Sequence, residues 1–384
     1  MKKFLAIIFV IFTMSFTLTS CNLQFSDPDA TIDNIINNDT IITTTQTQIT
    51  ETYNKVEPAC VGVQASNDKT VSLGSGVIYR IVDKNNNKEV SESTTDISAY
   101  VVTNEHVVNG KKKFRVYVDE TKSYIADIIG TDKSNDLAIL KFSSKYIKDE
   151  LSYVPILSNE MTSPSQGTLA LSIGCPLSLS NFNFPTIGLI SKSTTTQIIH
   201  SCAINPGNSG GGLFDAATGQ LIGINVSKQL YENQQDENGN VTQIPIDSIG
   251  FAIPIWLVKK VITDIESNNK DVIRPLLGVS VSLVLANTEN ESSNLLPSDL
   301  DSGVVILKVV DKSNASNAVC SDKNITGGLI SGDVLVKISK TNIIRPQDLQ
   351  YVMNTSTLGS TINLTVRRKV DGSWKTLEFL IKLV

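Results

Sequence analysis

The stretch Asn205-Pro206-Gly207-Asn208-Ser209-Gly210-Gly211 decides how the rest of the chain is read. Its Pro-Gly pair sets a turn in which Gly207 can take positive φ, a conformation that a Cβ makes costly. Such a turn can aim the amides of Gly207 and Ser209 at one point. Two convergent amides beside a serine hydroxyl make a pocket for an oxyanion, which a serine attacking a carbonyl requires. The hydroxyl is a weak nucleophile, so it also requires a base. Gly210 and Gly211 let another backbone come close. Ser209 is therefore the candidate nucleophile, and Gly207 and Ser209 are the candidate oxyanion donors.

The base comes from a short list, because the chain has only two histidines, His106 and His200. His106 stands where the apolar run Val101-Val102-Thr103 ends, in Asn104-Glu105-His106-Val107-Val108. A histidine held at a strand end can meet a serine from another part of a barrel. His200 lies nine residues before the serine and reads as a bystander. A carboxylate must fix the imidazole tautomer and stabilise the imidazolium. Asp136 directly precedes the apolar run Leu137-Ala138-Ile139-Leu140 and can be carried inward by it; Asp132, four residues earlier, is the competitor.

Outward from these residues the chain breaks into short β-rich runs. They include Cys60–Gln64, Val71–Tyr79, Ala99–Thr103, Lys113–Val118, Leu137–Phe142, Thr168–Ile173, Gly188–Lys192, Gly212–Phe214, Leu221–Val226 and Ile249–Ile253. Many short strands with turn signals between them argue for an all-β barrel or sandwich. Asp83–Thr95 and Lys228–Asp247 read as polar surface loops. Pro254–Asn268 is the clearest helix, with Ile255, Val258, Ile262 and Ile265 on one face. A second helix is expected around Ile49–Val56 and a third at Arg345–Asn354. An edge-like strand pair, Thr361–Arg367 and Lys375–Leu383, closes the chain.

Seven blocks stand in a characteristic order: Gly74-Ser75-Gly76-Val77-Ile78, Thr103–Val108, Asp136–Lys141, Ile173-Gly174-Cys175-Pro176, Asn205–Gly211, Leu221–Asn225 and Gly250–Pro254. Together they resemble the HtrA (DegP-like) family of trypsin-like serine proteases, over residues 55 to 265. The resemblance implies a mainly β, chymotrypsin-like double β-barrel of two six-stranded barrels, with His106, Asp136 and Ser209 in the cleft between them. It extends to a following PDZ domain. Leu276-Leu277-Gly278-Val279 resembles the loop whose amides hold a peptide's terminal carboxylate, and Gly328–Leu335 resembles the segment after that domain's short helix. Such a domain binds an extended peptide by strand addition.

The implied activity is ATP-independent endopeptidase cleavage of unfolded or misfolded polypeptides, probed also through their C-termini, by a homotrimer. A peptide-binding holdase, or a narrow signalling protease, is the alternative. Ala203 occupies the place where trypsin-like pockets carry a carboxylate. With Ile204, and with Val226 and Ser227 opposite, it gives an uncharged pocket suited to small or medium aliphatic residues. Ser201 stands where the family usually has Asp, and Lys228 where it tends to be apolar.

The N-terminus places this chemistry. Lys2 and Lys3 precede an apolar run from Phe4 to Leu18, and Leu18-Thr19-Ser20-Cys21 follows. That is the pattern of a signal peptide over residues 1–20. It resembles a lipobox, which implies lipidation at Cys21 and attachment to the outer face of the bacterial cell membrane. Residues 21–48 read as a flexible tether, 49–268 as the catalytic domain and 271–384 as the PDZ domain. Net charge is −5 over 384 residues, and Lys111–Lys113 and Arg367–Lys369 read as ordinary turn or strand-end charge. Nucleic acid is excluded as a partner on that basis. Cys60, Cys175, Cys202 and Cys320 show no metal-ligand spacing and read as buried thiols, with Cys60–Cys202 or Cys175–Cys202 permitted as disulfides. No cofactor or metal is expected.

Overall fold

A computed structural model describes residues 46–384, apart from 92–93, 146–150, 157–162, 228–230, 236–240, 246–248 and 287–294, and apart from the side chains of 231–235 and 241–245. The signal peptide, Cys21, nearly all of the tether and Lys228 lie outside the described residues. Among the described residues, no helix is long and apolar enough to cross a membrane.

Helix α1 (46–56) leads into the first barrel. Its strands are β1 (Cys60–Ser66), β2 (Val71–Asp83), β3 (Asp96–Thr103), β4 (Lys113–Tyr117), β5 (Ser123–Asp132) and β6 (Leu137–Lys145), closed in the order β1-β2-β3-β6-β5-β4. One turn of helix, α2 (Glu105–Val108), follows β3. The second barrel uses β7 (Leu169–Gly174), β8 (Phe184–Ser193), β9 (Ile198–His200), β10 (Gly212–Asp215) and β11 (Leu221–Val226). A hairpin of β12 (Tyr231–Gln235) and β13 (Val241–Pro245) intervenes before β14 (Gly250–Pro254) completes it, in the order β10-β11-β14-β9-β8-β7.

In β3, β6, β7 and β11 the buried runs are continuous rather than alternating because both strand faces are covered. Ala138, Leu140 and Phe142 fill the first barrel with Val61, Val63 and Ile78. Their neighbours Leu137 and Ile139 turn outward, to a core shared with Ile173, Phe214, Leu221 and Ile224 of the second barrel. Helix α3 (Ile255–Asn268) closes that shared core with six buried residues, Ile255, Leu257, Val258, Val261, Ile262 and Ile265. Each contributes roughly 1.5–3 kcal/mol relative to exposure. The interface between barrels is thus an apolar core, with the cleft at its rim.

The third sheet follows. Its strands are β15 (Val279–Leu285), β16 (Ser302–Val309), β17 (Val319–Cys320), β18 (Val334–Ile338), β19 (Thr341–Asn342), β20 (Thr361–Val370) and β21 (Ser373–Lys382), with α4 (Pro346–Thr355) between β19 and β20. Gln48–Val384 packs as one unit. The segment entering this sheet is tied to the first barrel: Val272 N–H donates to Thr131 O (2.7 Å), and Asp271 Oδ1 accepts from Thr131 N–H (2.8 Å).

Three expectations change. Lys228–Asp247 contains the β12-β13 hairpin rather than only loop. Its strands carry few apolar residues, so hydropathy gives no signal, although Asn238-Gly239 is a hairpin dipeptide. Of the closing strand pair only β21 is edge-like: β20 pairs with β18 as well as β21, and β21 is covered on its outer side only at Phe379 and Leu380, by β17. Arg368 is not strand-end charge. The strand alternation turns it inward, where it is 6% exposed and grips Asp333 through two bonds of 2.7 Å. The four described cysteines are free and buried, with neither permitted disulfide formed. Burial raises the thiols of Cys60, Cys175 and Cys202, the last to about 12, so they stay protonated.

Candidate active site

Three segments converge at the cleft. β3 ends at Thr103, and Asn104, whose backbone is extended, stands at the N-cap of α2. That break in the strand leaves His106 at the barrel rim. Asp136 lies in the tight connection between β5 and β6 and has φ +53°, unusual for a residue with a Cβ. The strain is held in place by neighbours: Asn104 Nδ2 donates to Asp136 O (2.9 Å), and Asp136 Oδ1 accepts from the His106 backbone N–H (3.0 Å). Ser209 comes from the second barrel, in the turn before β10, and is almost wholly buried.

His106 Nδ1 lies 2.8 Å from Asp136 Oδ2 and 3.0 Å from Oδ1, and Nε2 lies 2.9 Å from Ser209 Oγ. A carboxylate accepts only, so Nδ1 carries the proton and Nε2 is left to accept from the serine hydroxyl. Asp132 is turned elsewhere. It is fully buried, bonded by Arg274 Nε (2.9 Å) and by Asn135 N–H and Nδ2 (3.1 and 2.8 Å). Arg274 reaches on to Asp264 (2.6 Å), so this buried charge is paired and costs little of what an isolated one would.

The turn itself has Gly207 at φ +105°. A Cβ there would sit 2.3 Å from Cys175 O, so no larger residue fits without moving the turn. The Asn208 amide donates to Asn205 O (3.0 Å), whereas those of Gly207 and Ser209 donate to no acceptor among the described residues. Ser227, expected in the pocket wall, stands at the serine: its N–H donates to Ser209 Oγ (3.2 Å), and its hydroxyl bonds the same oxygen. Val226 beside it and Ile204 across the turn are half-buried, while Ala203 is exposed with its carbonyl bonded by Thr186 Oγ1 (3.2 Å). Ser201 bonds the Leu189 N–H (2.9 Å) and so serves the β8-β9 pairing. Sequence reasoning did not single out Asn104, which shapes the Asp136 turn; it lies inside a quoted block, but nothing in its type announces the role.

His200 takes no part in this cluster. It is fully buried, neither ring nitrogen makes a complete hydrogen bond, and burial pulls it down to about 4. The folded chain keeps it neutral while the unfolded chain protonates below about 6.5, so stability is full above that pH and falls as pH drops towards 4. Between pH 7 and 5 this one residue should remove about 2 kcal/mol of stability. Urea unfolding at both values checks it: His200→Gln should show a smaller loss than the parent, and an equal loss in both would contradict the assignment.

Comparison with known proteins matches the trypsin-like peptidase domain over residues 74–224. The serine protease Do-like HtrA of Lactococcus lactis subsp. lactis (strain IL1403) is 33% identical over 322 residues, covering 80% of this chain and 70% of that protein. The chain belongs to the HtrA family. It is a serine-type endopeptidase. Another HtrA relative, the serine protease Do-like HtrB of Bacillus subtilis (strain 168), is 29% identical over 354 residues, 87% of this chain and 70% of its own length. Among solved structures, the HtrA-type protease AlgW with tripeptide is 27% identical with a TM-score of 0.59, covering 88% of this chain and 97% of its own. The serine endoprotease from Yersinia pestis shares the fold at 24% identity and a TM-score of 0.55, over 88% of this chain and 98% of its own.

Like the barrels, the third sheet of this HtrA chain carries a concave site, a groove of about 450 Å³ between the start of β15 and α4. Its wall includes Leu276, Leu277, Gly278 and Val279, facing Leu349 and Met353. The carbonyls of Leu276, Leu277 and Gly278 are held by Asn314 Nδ2 (2.7 Å), Ala315 N–H (2.8 Å) and Val310 N–H (2.9 Å). The amides of the same three residues donate to nothing among the described residues. Gly278 has φ +81°. Ser134, two residues before Asp136, lines the same groove.

Proposed function

We propose that this endopeptidase cuts through Ser209, His106 and Asp136. The observation that carries the reading is the His106 ring, bonded at 2.8 Å to Asp136 and at 2.9 Å to Ser209. His106 Nε2 takes the hydroxyl proton as Ser209 Oγ attacks the peptide carbonyl, and later gives it to the departing amine. Asp136 keeps the proton on Nδ1 and stabilises the imidazolium. The amides of Gly207 and Ser209 receive the oxyanion, where donors fixed in advance cost no reorganisation. The Ser227 hydroxyl and amide at Ser209 Oγ are displaced or reused as the acyl group forms.

Ala203, Ile204, Val226 and Ser227 bring no charge to the pocket, which fits cleavage after Ala, Val, Ile or Leu. The groove at Leu276, Leu277, Gly278 and Val279 offers three amides and an apolar wall. That combination suits the carboxylate and last side chain of an extended peptide, as in a PDZ domain. Unfolded polypeptides, with exposed aliphatic residues and free ends, satisfy both sites. Action outside the cytoplasm, lipid anchoring at Cys21 and assembly as a homotrimer rest on the sequence resemblance.

Digestion of casein, with products read by mass spectrometry, tests the proposal. The parent should yield fragments ending in small or medium aliphatic residues, and Ser209→Ala should lose about 10⁴- to 10⁶-fold in rate. Undiminished cleavage by Ser209→Ala would overturn it.

A further inference from the structure

The oxyanion turn is held from the opposite barrel by one residue to which the mechanism above gives no role. Ser75 lies in β2 of the first barrel and is 1% exposed. Its backbone N–H donates to Ser209 O (2.7 Å), and its hydroxyl donates to Gly207 O (2.7 Å) while accepting from Cys175 N–H (2.8 Å). Its own carbonyl accepts from Thr103 Oγ1 (2.7 Å), three residues before His106. One residue thus joins the serine turn, the segment after β7 and the histidine segment.

The consequence for the chemistry follows from peptide planarity. Every peptide described is trans, so a bound carbonyl points its N–H partner the opposite way. Leu177 N–H fixes Pro206 O (2.7 Å), which orients the Pro206–Gly207 peptide and hence the Gly207 N–H. Ser75 Oγ fixes the next carbonyl, that of Gly207. The same peptide is held at its other end by the Asn208 N–H on Asn205 O (3.0 Å), so φ and ψ at Gly207 are restrained from both sides and its amide stays beside that of Ser209. A glycine at this position is otherwise free to turn. Moreover, Ser75 Oγ has its donor and one acceptor fully committed, and the Cys175 N–H that aims it belongs to the segment carrying Leu177.

We propose that Ser75 is a positioning residue for the oxyanion site, locking the Gly207 amide through its hydroxyl. The proposal rests on the reading of Gly207 and Ser209 as oxyanion donors, so the experiment separates the two. A peptide boronate ending in valine forms a tetrahedral anion on Ser209 Oγ, the serine proton passing to His106, and uses the oxyanion donors. The matching peptide carboxylate forms no such adduct. Inhibition constants for both, with kcat and KM on a chromogenic peptide, are measured for the parent, Ser75→Ala and Ser75→Thr.

Ser75→Ala should lose about 10- to 100-fold in kcat, below the 10²- to 10³-fold typical of deleting a donor outright. Boronate affinity should fall by a similar factor, with KM and carboxylate affinity within twofold. Ser75→Thr, which keeps the hydroxyl, should recover most of both. Unchanged kcat in folded Ser75→Ala, or a kcat loss with boronate affinity intact, overturns the proposal. Should Ser75→Ala fail to fold, Ser75→Cys decides: a weaker donor of the same shape should give a smaller parallel loss, and parent-like kcat and boronate affinity overturn the proposal. A parent enzyme that binds boronate no better than carboxylate would instead sink the oxyanion reading itself.

Discussion

Asp136→Asn should lower kcat by about 10⁴-fold while leaving the fold intact. The backbone conformation at Asp136, φ +53°, is one that asparagine tolerates better than most residues. Asn Oδ1 can keep the bond to the His106 backbone N–H that Asp136 Oδ1 now accepts. Its Nδ2 then faces His106 Nδ1, donates to it, and forces the ring proton onto Nε2. A protonated Nε2 cannot accept from Ser209, so the base is lost although every atom stays near its place. Steady-state kinetics and thermal unfolding check the two halves. A loss under tenfold would show that the carboxylate is not the orienting group. Asp132→Asn serves as the control: it disturbs the buried Arg274 pair and should cost stability, with little change in kcat for the folded fraction.

Gly207→Ala is the second large effect. Its Cβ would lie 2.3 Å from Cys175 O and 2.9 Å from Leu177 N, both backbone atoms that cannot swing aside. Positive φ adds strain independent of the space. The turn must therefore shift, and its amide leaves the point shared with Ser209. The expected loss is about 10²- to 10³-fold in kcat with KM little altered. His106 and Asp136 are untouched by this change, so kcat is measured on the folded fraction, with thermal unfolding reading the cost in stability. Activity within threefold of the parent would remove Gly207 from the oxyanion site.

Both predictions concern residue types that are legible in the sequence, for a physical reason. Chemistry constrains residue type: a serine nucleophile needs a base and a group that orients the base, and a chain with two histidines leaves little choice of base. The choice of Asp136 over Asp132 rested on which one immediately precedes an apolar strand. The contacts of the two carboxylates now differ, one at His106 and the other at Arg274. What the sequence hid were groups whose role is set by partners distant in the chain. Ser75 acts on Gly207 across 132 residues, and Arg274 on Asp132 across 142. No local pattern encodes such pairings.

The strands divide in the same way. Leu137–Leu140 is readable because burial on both faces makes a continuous apolar run. The β12-β13 hairpin carries mostly polar residues and had no such mark. Strand β5, Ser123–Asp132, mixes exposed and buried positions without clean alternation and was likewise not anticipated. Arg368 shows the converse case: a charge that reads as surface is buried because β20 turns it towards Asp333.

Stoichiometric labelling by a fluorophosphonate, located by peptide mass spectrometry and followed by a casein assay, tests the central claim most directly. One adduct per chain should form on Ser209, its appearance should parallel the loss of casein cleavage, and His106→Ala should all but abolish it. Full modification of Ser209 with cleavage undiminished, or an adduct formed on another residue while activity disappears, would contradict a mechanism built on Ser209, His106 and Asp136.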